Sequence, residues 1–343
     1  ISRMTREEKV AQLGSAWPAQ LSDGITYDPA KARVVLSHGI GLITRISGST
    51  LLEAGAAAHL GNDLQRFLVA ETRLGIPAIL HEESLHGLTA HDSVVHPQSI
   101  GLAPTWEPER VERMATFIGV AARARGARLV LAPVFDLARD PRWGRTEETY
   151  GEDTYLVTVL GTAYVRGVQA QGVLACGKHL VAHGLSEGGM NRAPVHIGPR
   201  ELHEQYLLPF EAAVRQEKLG TMMHAYHEID GVPCMASREL LTQILRDEWG
   251  FEGLVVSDYD GVNELVVAHQ VTEDLAVAAA MTLRAGLDQE LPRTLAYGEP
   301  LCRALENGLV DEATLDLAVS RVLHVKFELG LFEEPYADPA QAS

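Results

Sequence analysis

The chain has 343 residues, and its length, composition and charge already exclude several classes of protein. Its 29 Lys and Arg residues stand against 46 Asp and Glu residues, which gives a formal net charge of −17. We expect no nucleic-acid partner, because such binding depends on cationic contacts to phosphates. No apolar run reaches the length of about 18 residues that a membrane span requires, so no membrane span is expected. The length fits one large domain, 1–343.

Short apolar segments recur along the chain, separated by longer stretches whose apolar residues lie three and four positions apart. Runs such as Leu254–Val256 are apolar throughout, as in a strand covered on both faces. Alternating strands and helices indicate an α/β fold with a parallel sheet. In chain order, strands are predicted over Gly39–Ile46, Ile76–Glu83, Arg128–Leu137, Val173–His183, Gly220–His227, Leu254–Asp260 and, from a weaker pattern, Ala285–Glu290; helices are predicted over Glu107–Arg125, Thr154–Gln171, Pro199–Gln216 and Ser237–Trp249.

Polar residues close nearly every predicted strand, and this favours a closed barrel over a doubly wound sheet. Barrel enzymes gather their chemistry at the carboxyl ends of many strands, whereas a doubly wound sheet concentrates it near one switch point. We therefore predict an α/β fold of the (β/α)8 TIM-barrel type. The strand-end residues are Glu82, Glu83, Asp136, Lys178, His179, His224, Tyr226, Asp258 and Asp260.

Two short motifs match known active-site patterns without the context that those sites need. Gly172–His179 follows the phosphate-loop pattern, but it ends in His where the motif needs Ser or Thr, and its middle residues are apolar. Gly184–Gly188 matches the nucleophile elbow of serine hydrolases, but the residues after it do not favour the prompt helix that the elbow requires. Neither of these functions is predicted.

Histidines and cysteines are spaced in ways that predict no metal site. His81 and His86 are five residues apart, so they would not share a helix face. His224 and His227 are a pair of the kind that arises by chance among 14 histidines. The three cysteines are widely spaced and include no CxxC pair, so neither a disulfide framework nor a zinc site is predicted.

The segment Gly253–Gly261 carries a carboxylate, Asp258, out of a buried apolar strand. A retaining glycosidase needs such a carboxylate, ionised beneath the anomeric carbon of the sugar, to form and release a covalent glycosyl intermediate. Taken alone, the pattern fits equally well an Asp that caps the following helix. The assignment of Asp258 therefore depends on its neighbours in the fold.

Other strand ends contribute complementary groups. Glu83 ends one predicted strand, Lys178 and His179 follow the apolar part of another, and Arg142 comes shortly after a third. If they converge, they form a set of directional donors and acceptors of the kind that binds sugar hydroxyls. An internal salt-bridge network at the mouth of the barrel is the alternative.

A series of segments, taken in chain order, points to one family. They are Met4–Leu13, Ile76–Pro77, Leu85–Gly87, Asp140–Arg145, Gly177–His179, Ala225–Tyr226, Ile229–Pro233, Gly250–Phe251, Ser257–Asp258 and Leu329–Phe332. In content and order they resemble the motifs of glycoside hydrolase family 3, nearly from end to end. The resemblance implies the catalytic barrel of a retaining glycosidase that cleaves terminal β-linked glycosyl residues, with β-glucosidase as the first expectation.

The resemblance also implies roles for individual residues. Asp258 matches the catalytic nucleophile, and Tyr226 matches a tyrosine beside it. Arg142, Lys178 and His179 match residues that hold the sugar in the innermost subsite.

Glu83 stands where many β-glucosidases of the family carry Asp, so its longer side chain should shorten the sugar pocket. The segment His81–Ser84 resembles members that act on xylosides or arabinosides. A β-xylosidase or α-L-arabinosidase is therefore the alternative activity.

Retaining hydrolysis needs a second carboxyl group, about 5–5.5 Å from the first, to protonate the leaving oxygen. In most of the family that acid lies in a following α/β sandwich domain, which we expect to be absent here. The one-domain branch carries an Asp-His pair where this chain has Leu185–Asn191. Glu187 and Glu228 are candidates within this chain, but each fits a surface carboxylate equally well. We therefore expect a C-terminal domain or a partner chain to supply the acid.

Two other functions compete with this one. A sugar-binding barrel would keep the pocket without turnover, and a different barrel enzyme would use Lys178 as a Schiff-base amine. The favoured chemistry needs no cofactor and no metal, and its ligand is a small glycoside or oligosaccharide. The first residues show no basic-then-apolar leader, so we expect a cytoplasmic protein, or a secreted one if a leader was removed.

Overall fold

The computed structural model describes residues 1–342, and a seven-stranded parallel sheet lies at its centre. Hydrogen-bonded neighbours follow one another in chain order, as they do around a barrel. The strands are almost wholly buried, which explains their continuous apolar runs. They are β1 (Ser15–Ala16), β2 (Leu42–Thr44), β3 (Ile79–Glu82), β4 (Leu129–Val130), β5 (Leu174–Leu180), β6 (Thr221–His224) and β7 (Leu254–Val256).

Residues 287–290 close the sheet by bridging its two edge strands. Gln289 forms a parallel bridge with Val256 of β7. On the other side, the Glu290 N–H donates to the Leu13 carbonyl oxygen at 2.9 Å, and the Ser15 hydroxyl donates to the Glu290 carbonyl oxygen at 2.7 Å. The predicted (β/α)8-type barrel is thus confirmed, although the segment predicted over Ala285–Glu290 contributes a single bridge rather than a full strand.

Two departures from the predicted strands have simple causes. The β1 strand was not predicted, because two residues are too few to show a pattern. The predicted strand Arg128–Leu137 contains only β4 as regular strand. Pro133 follows shortly after β4, and proline has no N–H for the ladder.

The longer helices surround the barrel, and each buries one face. Pro108–Ala124 buries Val111, Met114, Ala115 and Ile118, spaced as the apolar stripe of an amphipathic helix. The α-helices are Arg6–Ala11, Pro29–Val35, Ile46–Ser49, Ala54–Glu71, Ser99–Leu102, Pro108–Ala124, Thr154–Gln169, Pro199–Glu201, Leu208–Glu217, Gly261–Val267, Leu275–Ala285, Glu299–Glu306 and Glu312–Glu328, with wider π-helical turns over Leu202–Tyr206 and Glu239–Glu248.

The helix predicted over Pro199–Gln216 is interrupted. Its first turn, Pro199–Glu201, leads into the π-helical turn Leu202–Tyr206, and regular helix resumes at Leu208. Pro209 accounts for the break, because its ring clashes with the carbonyl four residues earlier and it has no N–H to donate. No helix within residues 1–342 is long and apolar enough to cross a membrane.

Candidate active site

Asp258 lies two residues beyond the end of β7, at the carboxyl end of the barrel, and only 8% of its surface is exposed. Its Oδ1 accepts the backbone N–H of Tyr259 at 2.7 Å. Its Oδ2 is buried without a hydrogen-bond partner and lies 3.6 Å from Nε2 of His179. Burial raises the pKa of Asp258, and the Arg145 and Lys178 cations oppose that shift.

His179, at the carboxyl end of β5, is held by a second buried aspartate. The Oδ2 atom of Asp136 accepts both the backbone N–H of His179, at 3.0 Å, and its Nδ1, at 2.8 Å. Oδ1 of Asp136 accepts the backbone N–H of His183 at 3.1 Å. Burial raises the pKa of Asp136 to about 7 and, with the nearby Arg145 cation, lowers the pKa of His179 well below its usual value.

An arginine does reach this cluster, but it is Arg145 rather than Arg142. Nη2 of Arg145 lies 2.9 Å from Nε2 of His179, and Glu148 holds the same guanidinium through two hydrogen bonds of 2.8 and 2.9 Å. Arg142 turns outward, pairs with Asp140 at 2.6 Å and leaves 69% of its side chain exposed. The structure therefore does not bring Arg142 to Asp258.

Lys178 and Glu83 form a partly buried ion pair beside the same cluster. Nζ of Lys178 donates to Oε2 of Glu83 at 3.0 Å, and the lysine side chain is only 5% exposed. The preceding carboxylate, Glu82, accepts the backbone N–H groups of Ser47 and Gly48 instead. Of the two adjacent glutamates, Glu83 is therefore the one paired with a site cation.

Tyr226 joins the cluster from the segment after β6. Its hydroxyl donates to the backbone oxygen of Tyr259 at 2.8 Å, directly beside Asp258. The guanidinium of Arg192 lies over the Tyr226 ring at 4.9 Å from its centroid and is anchored by Glu264 at 2.8 Å. Sequence reasoning missed Arg192, because no pattern in its own loop links it to β6.

Aromatic side chains pack in series against the His179 ring. His183 lies 4.9 Å from the His179 ring and 5.3 Å from the Trp143 ring, measured between centroids. The side-chain oxygen of Asn191 accepts from Trp143 Nε1 at 3.1 Å and lies 2.6 Å from His183 Nε2. Ser186, the serine of the segment that resembled a nucleophile elbow, donates its hydroxyl to the His183 carbonyl oxygen at 2.8 Å.

The two carboxylates considered as proton donors lie near other histidines. Glu187 is 3.7 Å from His196 and more than half exposed. Glu228 is 3.6 Å from His269. Neither contacts Asp258 or its immediate partners. Within residues 1–342, the His, Cys, Asp and Glu side chains form no group of three that could hold a metal ion.

Five of the six residues predicted from the sequence therefore lie together, and Arg142 does not. They combine a buried carboxylate, an ion pair, a neutral imidazole and a tyrosine at the carboxyl end of a (β/α)8 barrel, which is the end that carries the active sites of barrel enzymes. The arrangement is that of a barrel enzyme.

The chain belongs to glycosyl hydrolase family 3, because the model of that family's N-terminal domain matches residues 5–325. It is 35% identical to a putative β-xylosidase from Formosa agariphila over 98% of this chain. It is 34% identical to the periplasmic β-glucosidase of Salmonella typhimurium over 80% of this chain. A solved β-glucosidase from Erythrobacter marinus superposes with a TM-score of 0.93 over 99% of this chain, at 38% identity.

These relatives are longer than this chain. The matches cover 46% of the Formosa protein, 36% of the Salmonella protein and 46% of the Erythrobacter structure. The chain thus spans about half the length of these relatives, or less. The family resemblance read from the motifs is confirmed.

Proposed function

We propose that this chain carries the nucleophile and the sugar-binding part of a retaining β-glycosidase. Oδ2 of Asp258 attacks the anomeric carbon of a terminal β-linked sugar, and the bond from that carbon to the leaving oxygen breaks. The leaving oxygen takes a proton from a general acid, and a glycosyl ester of Asp258 remains. Water, giving its proton to the same group, then attacks the anomeric carbon and releases the sugar with its configuration retained.

One observation carries this proposal: Asp258 has a buried oxygen without a hydrogen-bond partner, surrounded by groups that favour the ionised form. The cations of Arg145 and Lys178 lower the pKa of Asp258, although burial has the larger effect and leaves that pKa above its usual value. An ionised oxygen that is not already bonded is what a covalent glycosyl intermediate requires. The N-cap alternative is weakened, because Asp258 lies two residues before Asp260, the residue that precedes the helix Gly261–Val267.

We assign the hydroxyl contacts of the sugar to the side chains around Asp258. Glu83 accepts hydrogen bonds from sugar hydroxyls, whereas Lys178 and Arg145 can only donate hydrogen bonds. His179 and Tyr226 complete the wall next to the nucleophile. Arg145 takes the place that the motif resemblance gave to Arg142, since it is the arginine that contacts His179.

We further propose that the general acid comes from outside residues 1–342, from another part of a longer protein or from a partner chain. The carboxylates beside the cluster are engaged already: Asp136 with His179, Glu83 with Lys178, and Glu148 with Arg145. Glu187 and Glu228 contact other side chains. The chain alone should therefore cleave dinitrophenyl glycosides, whose leaving group needs no proton, far better than methyl glycosides.

Covalent labelling tests the nucleophile directly. The chain is incubated with a dinitrophenyl 2-deoxy-2-fluoro-β-glycoside, and intact mass and peptide mapping locate the adduct. We expect one adduct, on Asp258, and none in Asp258→Asn. Asp260→Asn is the matched control, because Asp260 follows the same strand but faces Arg293 at 3.3 Å. An adduct on another residue, or sugar binding by calorimetry without any adduct, would overturn the proposal.

The sugar is proposed to be glucose, with xylose as the second candidate. Xylose is the second candidate because the Glu83 side chain is one methylene longer than that of Asp and leaves less room for the sugar. Relatives of this chain are named both β-xylosidase and β-glucosidase. The ratio of kcat/KM for nitrophenyl β-glucoside and β-xyloside decides between the two.

A further inference from the structure

Both ring nitrogens of His179 have partners, and these partners fix where the ring carries its proton. Nε2 lies 2.9 Å from Nη2 of Arg145, and Nδ1 lies 2.8 Å from Oδ2 of Asp136. A guanidinium only donates hydrogen bonds, so Nε2 must offer its lone pair. The single proton of the neutral ring is therefore on Nδ1, where it donates to Asp136.

Asp136 is surrounded only by donors. Its two oxygens accept the backbone N–H groups of His179 and His183 in addition to Nδ1–H of His179. A protonated carboxyl group would need an acceptor for its own hydrogen, and no acceptor contacts it within the described residues. The carboxylate form is thus the one that these three contacts fit.

The position of this proton matters for Asp258. Oδ2 of Asp258 lies 3.6 Å from Nε2 of His179 and accepts no hydrogen bond. If Nε2 carried a hydrogen, that oxygen would be an acceptor within reach, and a shift of a few tenths of an ångström would form a hydrogen bond that weakens the nucleophile. With a bare Nε2, the nucleophilic oxygen stays free.

We propose that Asp136 is a positioning residue: it holds His179 in the Nδ1–H tautomer, so that Nε2 accepts and leaves Oδ2 of Asp258 without a donor. The inference about activity rests on the proposed function, whereas the tautomer itself does not.

Nitrogen NMR of ¹⁵N-histidine-labelled protein reads the tautomer without substrate. Long-range proton–nitrogen correlations distinguish a protonated from a bare ring nitrogen, and the loss of one spin system in His179→Gln assigns the residue. In the unmodified chain we expect Nδ1–H and bare Nε2 at pH 8, above the pKa of about 7 that burial gives Asp136. Nε2–H, or a doubly protonated ring, would overturn the inference, and this arm needs no variant of Asp136.

Asp136→Asn tests the consequence, because its amide can donate to Nδ1 and move the ring proton to Nε2. We expect the Nε2–H tautomer and a fall of about 10²–10⁴-fold in the rate of fluoro-sugar labelling of Asp258, the range seen when an orienting carboxylate is removed. The KM for the activated glycoside should change much less. A slow variant that keeps the Nδ1–H tautomer would contradict this role.

The matched control is Asp288→Asn, which removes another fully buried aspartate that accepts a backbone N–H and guanidinium hydrogen bonds. It should lower stability but leave the His179 tautomer unchanged. If the unmodified chain shows the expected tautomer but no labelling of Asp258, the proposed function fails and the tautomer assignment stands. If labelling occurs with the other tautomer, only the positioning role fails.

Discussion

Two buried aspartates lie close to β7, and they differ in how completely they are paired: Asp288 contacts the middle of the strand, and Asp258 follows its carboxyl end. Asp288 accepts from Arg246 at 2.6 Å, from Arg321 at 3.0 Å and from the backbone N–H of Val255 at 2.8 Å. Asp258, at the carboxyl end, accepts one backbone N–H and keeps Oδ2 free. A buried carboxylate with hydrogen-bond partners on both oxygens stabilises the fold. A buried carboxylate with one oxygen unbonded is available for chemistry.

The largest expected effects come from exchanging each of these aspartates for asparagine. Asp258→Asn should lower kcat on a dinitrophenyl glycoside at least about 10⁴-fold, as removal of a nucleophile does, and leave stability nearly unchanged. Asp288→Asn should keep turnover but lose about 3 kcal/mol of stability, because it leaves two guanidiniums without their carboxylate. Steady-state kinetics and urea unfolding measure both. Loss of activity in a fully folded Asp288→Asn would contradict this comparison. So would a lower stability of Asp258→Asn than of Asp288→Asn.

The second effect concerns the two arginines of one motif. Arg145→Lys should reduce kcat/KM about 10²-fold, because lysine cannot reproduce the fork that contacts His179 and Glu148 together. Arg142→Lys should change kcat/KM by less than about 3-fold, since an exposed pair such as that with Asp140 contributes little. Kinetics of both variants on the same activated glycoside check this. The reverse order of effects would return the sugar contact to Arg142.

A third effect tests substrate choice at Glu83. Glu83→Asp shortens the side chain by one methylene and should raise the glucoside-to-xyloside ratio of kcat/KM about 10-fold, the usual value of one methylene in a pocket. Lys178 must stay paired for the comparison to hold, so the conservative Asp is preferred to Ala. Glu82→Asp, which should not shift the ratio, is the control because Glu82 binds the backbone of residues 47–48. A ratio that does not move would place the specificity elsewhere.

The comparison of the two arginines also shows which features of the structure can be predicted from the sequence. The barrel was predictable because its longer strands contain apolar runs and end in polar residues. The β1 strand and the bridge at residues 287–290 were not, since each is too short to show a period. Arg142 and Arg145 lie in one loop three residues apart, and only the backbone path of that loop decides which one turns inward.

The role of Asp136 was equally out of reach of the sequence. It was recognisable as a strand-end carboxylate, but its function depends on contacts to His179 and His183, more than 40 residues further along the chain. Tertiary contacts of this kind leave no local pattern. Sequence reasoning therefore found most of the groups that face the proposed sugar and few of those that hold them in place.

The smallest effect concerns a buried cation at the other end of the barrel. Lys326 is fully buried, and its Nζ donates to the neutral oxygens of Gln12 and Ile40 at 2.6 and 3.2 Å. Burial without a carboxylate partner lowers the pKa of Lys326 to about 7.

Between pH 7 and about 10, the unfolded chain therefore binds one proton more at Lys326 than the folded chain, so stability should rise with pH by up to about 1 kcal/mol per unit. In Lys326→Met this rise of the unfolding free energy with pH should be absent. Urea unfolding of both proteins at pH 7, 8 and 9 measures the difference. Asp258 and its partners should be unaffected, so kcat at pH 7 stays within about 2-fold of the unmodified chain, as expected for a substitution remote from the site. If the unfolding free energies of the two proteins change with pH in parallel, Lys326 keeps its proton in the folded state. The oxygens of Gln12 and Ile40 would then be sufficient to stabilise the buried charge.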